Sequence, residues 1–136
     1  MSNSDTQPAH AFSTLKLEPE LLDILSSMVY HAMTPIQARS LPAILAGEDV
    51  IGQGKTCSGT TAALGLGLLN QFDVKRLRIH TLVLCPTPAL AAQAAQQIRT
   101  LARGTHHVTV PTLSSRVPIL PQLRSLAHRA PMSVIS

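Results

Sequence analysis

The chain has 136 residues, 45% of them hydrophobic, and a formal net charge of +4. This length suits one modest domain, and the sequence contains neither an apolar run long enough for a membrane span nor a secretory signal pattern. Two cysteines are too few for a disulfide framework and no His/Cys spacing indicates zinc, so we expect a cytoplasmic protein with no membrane partner. The polar residues 1–10 predict a disordered tail.

The first two predicted elements are helices. One begins at Glu18-Pro19-Glu20, which places proline and acidic residues in the first turn. The second begins at Thr34-Pro35-Ile36-Gln37 and runs to Ala46, where Gly47 ends it.

Short strands and helices then alternate along the chain. The pattern predicts, in order, strand Asp49–Gln53, helix Thr60–Phe72, strand His80–Cys85, helix Ala89–Arg103, strand His107–Leu113, helix Gln122–His128 and strand Met132–Ile135. Because residues 80–85 form a continuous apolar run, we expect that strand to be buried on both faces. The alternation predicts an α/β fold in which a parallel sheet carries helices on both faces.

Charge is divided unevenly between the two halves of the chain. Residues 1–73 hold three Lys/Arg and seven acids, whereas residues 74–136 hold eight Lys/Arg and no acid. A basic half of this kind indicates either a polyanionic partner or a solvated basic face.

Residues 54–61 contain an incomplete phosphate-binding motif. They read Gly-Lys-Thr-Cys-Ser-Gly-Thr-Thr, which fits G-x-x-x-x-G-K-[ST] except that Thr60 occupies the lysine position. A charge-assisted hydrogen bond, which this replacement removes, contributes roughly 1.5–3 kcal/mol. Cys57 stands where glycine is usual, and a left-handed backbone there costs a residue with a Cβ on the order of 1–2 kcal/mol.

Two other interpretations of this segment are open. In a shifted register Gly54-Lys55-Thr56 is the terminal G-K-T, although Asp49 then stands at the opening glycine. Alternatively, the segment is an ordinary Gly/Ser/Thr turn between a strand and a helix.

Several ordered segments resemble the first RecA-like domain of DEAD-box ATP-dependent RNA helicases, and most closely the bacterial subgroup acting on large-subunit ribosomal RNA. The resemblance extends from residue 11 to about residue 113 and weakens afterwards. It implies a truncated, incomplete RecA-like P-loop domain at 11–136, with a Q-motif region (11–47), a P-loop region (48–73) and the basic half (74–136). The matching segments are residues 11–15, 33–37, 41–47, 55–56, 58–59, 61–63, 65–69 and 82–87.

This resemblance implies a site for ATP with Mg²⁺. Gln37 would read the adenine edge, Phe12 would pack on the base, and Thr61 would hold the metal ion. Thr34 and Gln37 also fit a capping box, and hydrophobic anchoring of the N-terminal arm is the alternative for Phe12. The residues that would surround the nucleotide phosphates are Gly54, Lys55, Thr56, Cys57, Ser58, Gly59, Thr60 and Thr61.

The resemblance also implies RNA contacts at Pro86 and Thr87, and at Ser114 and Ser115 where the family has Gly-Gly. The family segment Pro-Thr-Arg-Glu-Leu-Ala appears here as Pro-Thr-Pro-Ala-Leu-Ala at residues 86–91. The sequence given stops at Ser136, before the expected Thr-Pro-Gly-Arg segment, the Asp-Glu-Ala-Asp box and the second RecA-like domain.

We therefore expect residues 1–136 to bind ATP and RNA weakly, and not to hydrolyse ATP on their own. The resemblance implies that the RNA is ribosomal RNA. Two alternatives are an ATP-independent basic fragment that binds RNA or a partner, and a non-functional product of a disrupted reading frame. Without neighbouring strands, Val50 and Ile51 would lie on an open apolar sheet edge, which predicts self-association.

Overall fold

The computed structural model describes residues 10–28, 30–72, 79–105, 108–127 and 132–136. The expected tail, apart from His10, lies outside these ranges, as do the basic residues Lys75, Arg76, Arg78 and Arg129. The helices within the ranges are α1 (Pro19–Ser27), α2 (Pro35–Leu45), α3 (Thr60–Asn70), α4 (Pro88–Leu101) and α5 (Ile119–Ala127). The strands are β1 (Thr81–Leu84), β2 (Thr112–Leu113) and β3 (Met132–Ile135), and short 3₁₀ turns occupy Phe12–Thr14 and Ala102–Gly104.

The three strands form a parallel sheet in the order β1-β3-β2. Val83 of β1 pairs with Val134 of β3, and Leu113 of β2 pairs with Ile135. Helix α4 connects β1 to β2, at the other edge of the described sheet, and α5 connects β2 back to the central strand β3. The two connections run in opposite directions across the sheet, so right-handed crossovers put α4 and α5 on opposite faces. The predicted α/β fold, a parallel sheet with covering helices, is confirmed.

Local signals in the sequence account for the first two helices. Pro19 occupies the first turn of α1, where its missing N–H costs no intrahelical bond. Thr34 and Gln37 form the predicted capping box at the start of α2. Gly47 follows the end of α2 with a φ of +79°, a left-handed conformation that favours glycine.

Helix α3 lies between α2 and α4 and is the most buried helix of the core. Gly67 allows the close approach to α2, because a Cβ at this position would overlap the side chain of Ile44. Gly65 faces α4, where a Cβ would lie 3.1 Å from Leu101 and 3.3 Å from Ile98. This packing fixes the start of α3, and therefore the loop that precedes it.

The strand expected at Asp49–Gln53 is wrong. The segment has no regular structure and pairs with none of the three described strands, and the Ile51 side chain is fully exposed. A strand persists only when a neighbour takes up its backbone hydrogen bonds, and an apolar sequence pattern does not supply that neighbour.

The expectation that β1 is buried on both faces is also wrong. Val83 is buried against the helices, but Leu82 and Leu84 on the other face are 57% and 73% exposed. Within the described sheet β1 is an edge strand, so one lateral edge of the sheet and part of one face lie open.

The remaining expected boundaries shift by a few residues. Helix α3 ends at Asn70 instead of Phe72, and α5 begins at Ile119, three residues before the expected start. The strand expected from His107 is limited to Thr112–Leu113, and His107 and His128 lie outside the described ranges. None of the helices that the structure describes has the length and apolar character needed to cross a membrane.

Candidate functional site

The segment between residue 54 and α3, here called the phosphate loop (Gly54–Thr61), forms a compact bend. Ser58 N–H donates a hydrogen bond to the Lys55 carbonyl oxygen at 3.1 Å, which closes a turn. Cys57 and Gly59 have φ values of +63° and +86°, so the left-handed backbone expected at Cys57 is present. Helix α3 begins at Thr60, as the first motif register requires, and the shifted register ending at Thr56 is therefore wrong.

Gly59 is needed for two independent reasons. Its φ of +86° is one that side chains disfavour, and a Cβ at this position would overlap the Gln37 amide nitrogen. The glycine thus lets the start of α2 and the phosphate loop lie in direct contact.

Gln37 is fully buried and bonded at both ends of its side-chain amide. Its Oε1 accepts a hydrogen bond from Thr34 N–H at 2.9 Å, and its Nε2 donates to the Gly59 carbonyl oxygen at 3.1 Å. Thr34 Oγ1 donates in turn to the Ser58 carbonyl oxygen at 2.7 Å. The capping-box role is therefore confirmed, while the contact of Gln37 with adenine stays a prediction.

The two threonines at the start of α3 are half-buried. Thr60 Oγ1 lies 3.1 Å from Ser58 Oγ, close enough for a hydrogen bond within the loop. The N–H groups of a first helical turn have no intrahelical partners, and they add a partial positive charge at this point. Metal binding by the Thr61 hydroxyl stays a prediction.

An open cavity of about 580 Å³ lies beside the phosphate loop; we call it the loop cavity. Its walls are the loop, the end of β1 and one side of α4. Among its described lining residues Lys55 is the one cation, and Lys55 is exposed. The loop cavity is also lined by Tyr30, Cys57, Thr60, Thr61 and Cys85.

Phe12 lies in the hydrophobic core instead of the loop cavity. Its side chain is buried, and its ring meets that of Tyr30 edge to face, with centroids 6.4 Å apart and an interplanar angle of 79°. Tyr30 is the aromatic residue that lines the loop cavity, a position that the sequence analysis missed. The sequence feature that marks Tyr30 is that it is the sole tyrosine of the chain and lies shortly before α2. The packing of Phe12 on a base stays a prediction.

The four residues expected to contact RNA lie at one end of the sheet. Pro86 and Thr87 follow β1, and Ser114 and Ser115 follow β2. Because parallel strands end at the same edge and β1 and β2 are two strands apart, the two pairs are separated by about 10 Å across the sheet. Thr87 also caps α4, since its Oγ1 accepts a hydrogen bond from Leu90 N–H at 3.3 Å.

The arginines of the basic half have different roles. Arg99 donates to the Val110 carbonyl oxygen through Nε at 3.0 Å and to Thr112 Oγ1 through Nη2 at 3.1 Å, so it holds the segment leading into β2. Arg103, Arg116 and Arg124 are exposed. Arg99 is itself exposed, so the surface charge in the described part of this half rests on four arginines.

Comparison with known proteins places these features in context. Residues 34–136 match the model of the DEAD/DEAH box helicase family. The chain is 49% identical over 127 residues to the ATP-dependent RNA helicase DbpA of Escherichia coli, covering 93% of this chain and 28% of that protein. It is 36% identical over 129 residues to the ATP-dependent rRNA helicase RRP3 of Phaeosphaeria nodorum, covering 95% of this chain and 23% of that protein.

Solved structures show the same architecture. The crystal structure of a DEAD box protein from Methanococcus jannaschii superposes with a TM-score of 0.87 at 26% identity, covering 93% of this chain and 34% of that one. A hypothetical ATP-dependent RNA helicase from Sulfolobus tokodaii gives a TM-score of 0.76, also at 26% identity, over 88% of this chain and 34% of that one. The chain thus spans about a quarter to a third of the length of these relatives.

Proposed function

This chain belongs to the DEAD/DEAH box helicase family, and we propose that it binds adenine nucleotide in the loop cavity and RNA at the carboxyl ends of β1 and β2. We propose further that residues 1–136 do not hydrolyse ATP by themselves. The observation that carries the proposal is the phosphate loop, which retains its bend and its left-handed Gly59 although Thr60 replaces the lysine.

The shape of the loop fits a nucleotide with Mg²⁺. In this proposal Gly54–Thr61 surround the phosphates, the Thr61 hydroxyl faces the metal ion, and Tyr30, which lines the loop cavity, meets the base. Contact of Gln37 and Phe12 with adenine stays a prediction, and it requires these two buried side chains to become accessible when the nucleotide binds. The open cavity and the helix start behind the loop are features that suit an anion. When bound, Mg²⁺ neutralises charge on the phosphates.

The charge of the phosphate loop suits a nucleotide less well than its shape does, so we expect the nucleotide to bind weakly. Lysine at position 60 would supply a cation on the α3 side of the loop, whereas the Thr60 hydroxyl is neutral and already lies beside Ser58. The loss of one charge-assisted bond corresponds to roughly ten- to a hundredfold in affinity. Phosphoryl transfer needs metal, positioned water and charge stabilisation together, which is why we do not expect turnover from these residues alone.

The RNA part of the proposal rests on the sheet edge and on charge. Ligands of open α/β sheets bind outside the carboxyl ends of the strands, where Pro86, Thr87, Ser114 and Ser115 lie. Exposed arginines and a half with no acid favour a polyanion. We propose ribosomal RNA, following the relative named an rRNA helicase, and a reducing cytoplasm in which Cys57 and Cys85 remain free thiols.

Fluorescence anisotropy with a labelled single-stranded ribosomal RNA fragment tests the proposal. We expect salt-sensitive RNA binding that strengthens when ATP and Mg²⁺ are added. A separate phosphate-release assay should detect no ATP hydrolysis. RNA binding that ignores ATP would instead support an ATP-independent basic RNA-binding fragment. Phosphate release stimulated by RNA at a rate typical of the family would overturn the claim that turnover is absent.

A matched pair of variants locates the RNA surface. Ser115→Glu places a negative charge at the proposed contact, so we expect it to weaken RNA binding. Ser26→Glu makes the same change on α1, which packs near Ala102–Gly104 at the opposite end of α4 from Thr87. Because α4 is about 21 Å long, the second variant should leave RNA affinity unchanged, and equal effects would place the RNA elsewhere.

A further inference from the structure

The turn after β2 is held by one side chain of α5. Val117 N–H donates to the Ser114 carbonyl oxygen at 3.3 Å, which closes the turn over residues 114–117. Gln122 Oε1 accepts from Ser114 N–H at 2.8 Å. Gln122 Nε2 lies within hydrogen-bond distance of the carbonyl oxygens of Ser114 at 2.9 Å, Val117 at 2.7 Å and Pro118 at 3.3 Å.

Apolar packing contributes little to the position of this turn. No residue of α5 is buried, and Ile119, Leu120 and Leu123 are all more than half exposed. The half-buried amide of Gln122 is therefore the main described connection between α5 and the end of β2. An amide suits this position because it offers an acceptor and donors together.

The residues that the turn presents are suited to a phosphate backbone. Ser115 and Arg116 are exposed at the end of β2, and Arg116 N–H lies 3.4 Å from Ser114 Oγ. A guanidinium pairs well with phosphate oxygens, and no acid is present between residues 74 and 136 to compete for it.

We propose that Gln122 is a positioning residue for RNA binding: its amide fixes the 114–117 turn so that Arg116 contacts an RNA phosphate beside Ser115. The proposal rests on the proposed function, because it concerns the same RNA surface. Gln122 itself does not touch RNA. It acts by holding the backbone that directs Arg116 toward the bound strand.

The salt dependence of RNA binding tests this role. Replacing Arg116 by Gln removes one phosphate contact and should reduce the slope of log K against log salt by about 1. Gln122→Ala removes no charge, yet it should lower the slope by nearly the same amount and weaken binding at low salt about tenfold. In the double variant the two effects should not add, because both remove one contact.

Two further variants and a second measurement separate positioning from general damage. Gln122→Glu keeps an acceptor for Ser114 N–H, loses the donors and adds a negative charge, so it should weaken RNA binding at least as much as Gln122→Ala. Gln96→Ala makes the same truncation at an exposed site on α4 and should change neither slope nor affinity. Hydrogen exchange at the Ser114 amide should accelerate in Gln122→Ala while exchange in α3 stays unchanged.

The outcomes distinguish this inference from the proposed function. If the wild-type chain binds no RNA, the proposed function fails and so does the role of Arg116. If RNA binds but Gln122→Ala leaves the slope unchanged, or its effect adds to that of Arg116→Gln, the positioning role is overturned and the proposed function stands. Unchanged hydrogen exchange at the Ser114 amide in Gln122→Ala would overturn the claim that Gln122 holds the 114–117 turn.

Discussion

Gln37 Nε2 donates a hydrogen bond to the carbonyl oxygen of Gly59 at 3.1 Å and so connects the start of α2 to the phosphate loop. The same side chain closes the capping box with Thr34. One buried amide therefore serves both the helix start and the loop, and a change at either place should affect the other.

Gln37→Ala should destabilise the fold by about 1.5–5 kcal/mol, because a lost cap costs about 0.5–2 kcal/mol and an unsatisfied buried group about 1–3 kcal/mol. Urea unfolding measures this. Gln71→Ala is the matched control, since Gln71 Nε2 donates one exposed hydrogen bond to the Ile44 carbonyl oxygen. It should cost about 1 kcal/mol or less, and equal losses in the two variants would contradict a special role for Gln37.

Gly59→Ala and Gly47→Ala separate backbone strain from steric overlap. Both glycines have left-handed φ values, but a Cβ at Gly47 meets nothing within 4 Å, whereas one at Gly59 overlaps Gln37. We expect Gly47→Ala to cost about 1–2 kcal/mol from backbone strain and Gly59→Ala to cost clearly more. Thermal unfolding of the two proteins gives the comparison, and equal shifts would show that the loop moves away from Gln37 without penalty.

Thr60→Lys should raise affinity for ADP and for ATP with Mg²⁺ by roughly ten- to a hundredfold, because it restores one charge-assisted contact at the start of α3. Isothermal calorimetry measures the change. Thr56→Lys adds the same charge at an exposed position of the same loop and should have a smaller effect. No gain in Thr60→Lys, or an equal gain in the control, would mean that the loop does not hold phosphates in this register.

We propose that the chain self-associates through the open edge of β1, which carries the exposed Leu82 and Leu84. This replaces the expected edge at Asp49–Gln53, which is not a strand. Leu84→Lys should reduce self-association, because charged side chains on an edge oppose pairing. Light scattering over a concentration series checks this. Leu120→Lys, on the exposed face of α5, is the control, and a chain that stays monomeric at high concentration would contradict the proposal.

Ser133→Ala should raise the free energy of unfolding by about 1 kcal/mol. Ser133 Oγ is buried in the central strand and has no hydrogen-bond partner among the described residues. Removing it should relieve the desolvation of an unpaired hydroxyl while it leaves the β3 backbone ladders intact. A lower urea midpoint in the variant would show that the hydroxyl is satisfied in solution.

Local signals allowed much of this fold to be predicted. The proline at the start of α1, the capping box of α2 and the bend of the phosphate loop, including the left-handed Cys57, all depend on neighbouring residues. The Asp49–Gln53 segment shows the limit, since its apolar pattern resembles a strand but pairing depends on residues far along the chain.

Site geometry was harder to predict for the same reason. The position of Tyr30 in the loop cavity follows from tertiary packing against Phe12, and the contacts of Gln122 depend on how α5 returns over the end of β2. Neither residue lies in a motif that sequence spacing could identify. The burial of Phe12 likewise reflects the whole core instead of its local sequence.

The central position of β3 has a consequence for how the molecule is assembled. Thr81 of β1 pairs with Met132, 51 positions later, and both ladders of the sheet run through this late strand. Helix α3 contacts both α2 and α4, so these helices can associate during translation, but within the described sheet neither β1 nor β2 has a ladder partner until β3 has been synthesised. During synthesis the helices can therefore pack together before β3, the strand that joins β1 and β2, becomes available.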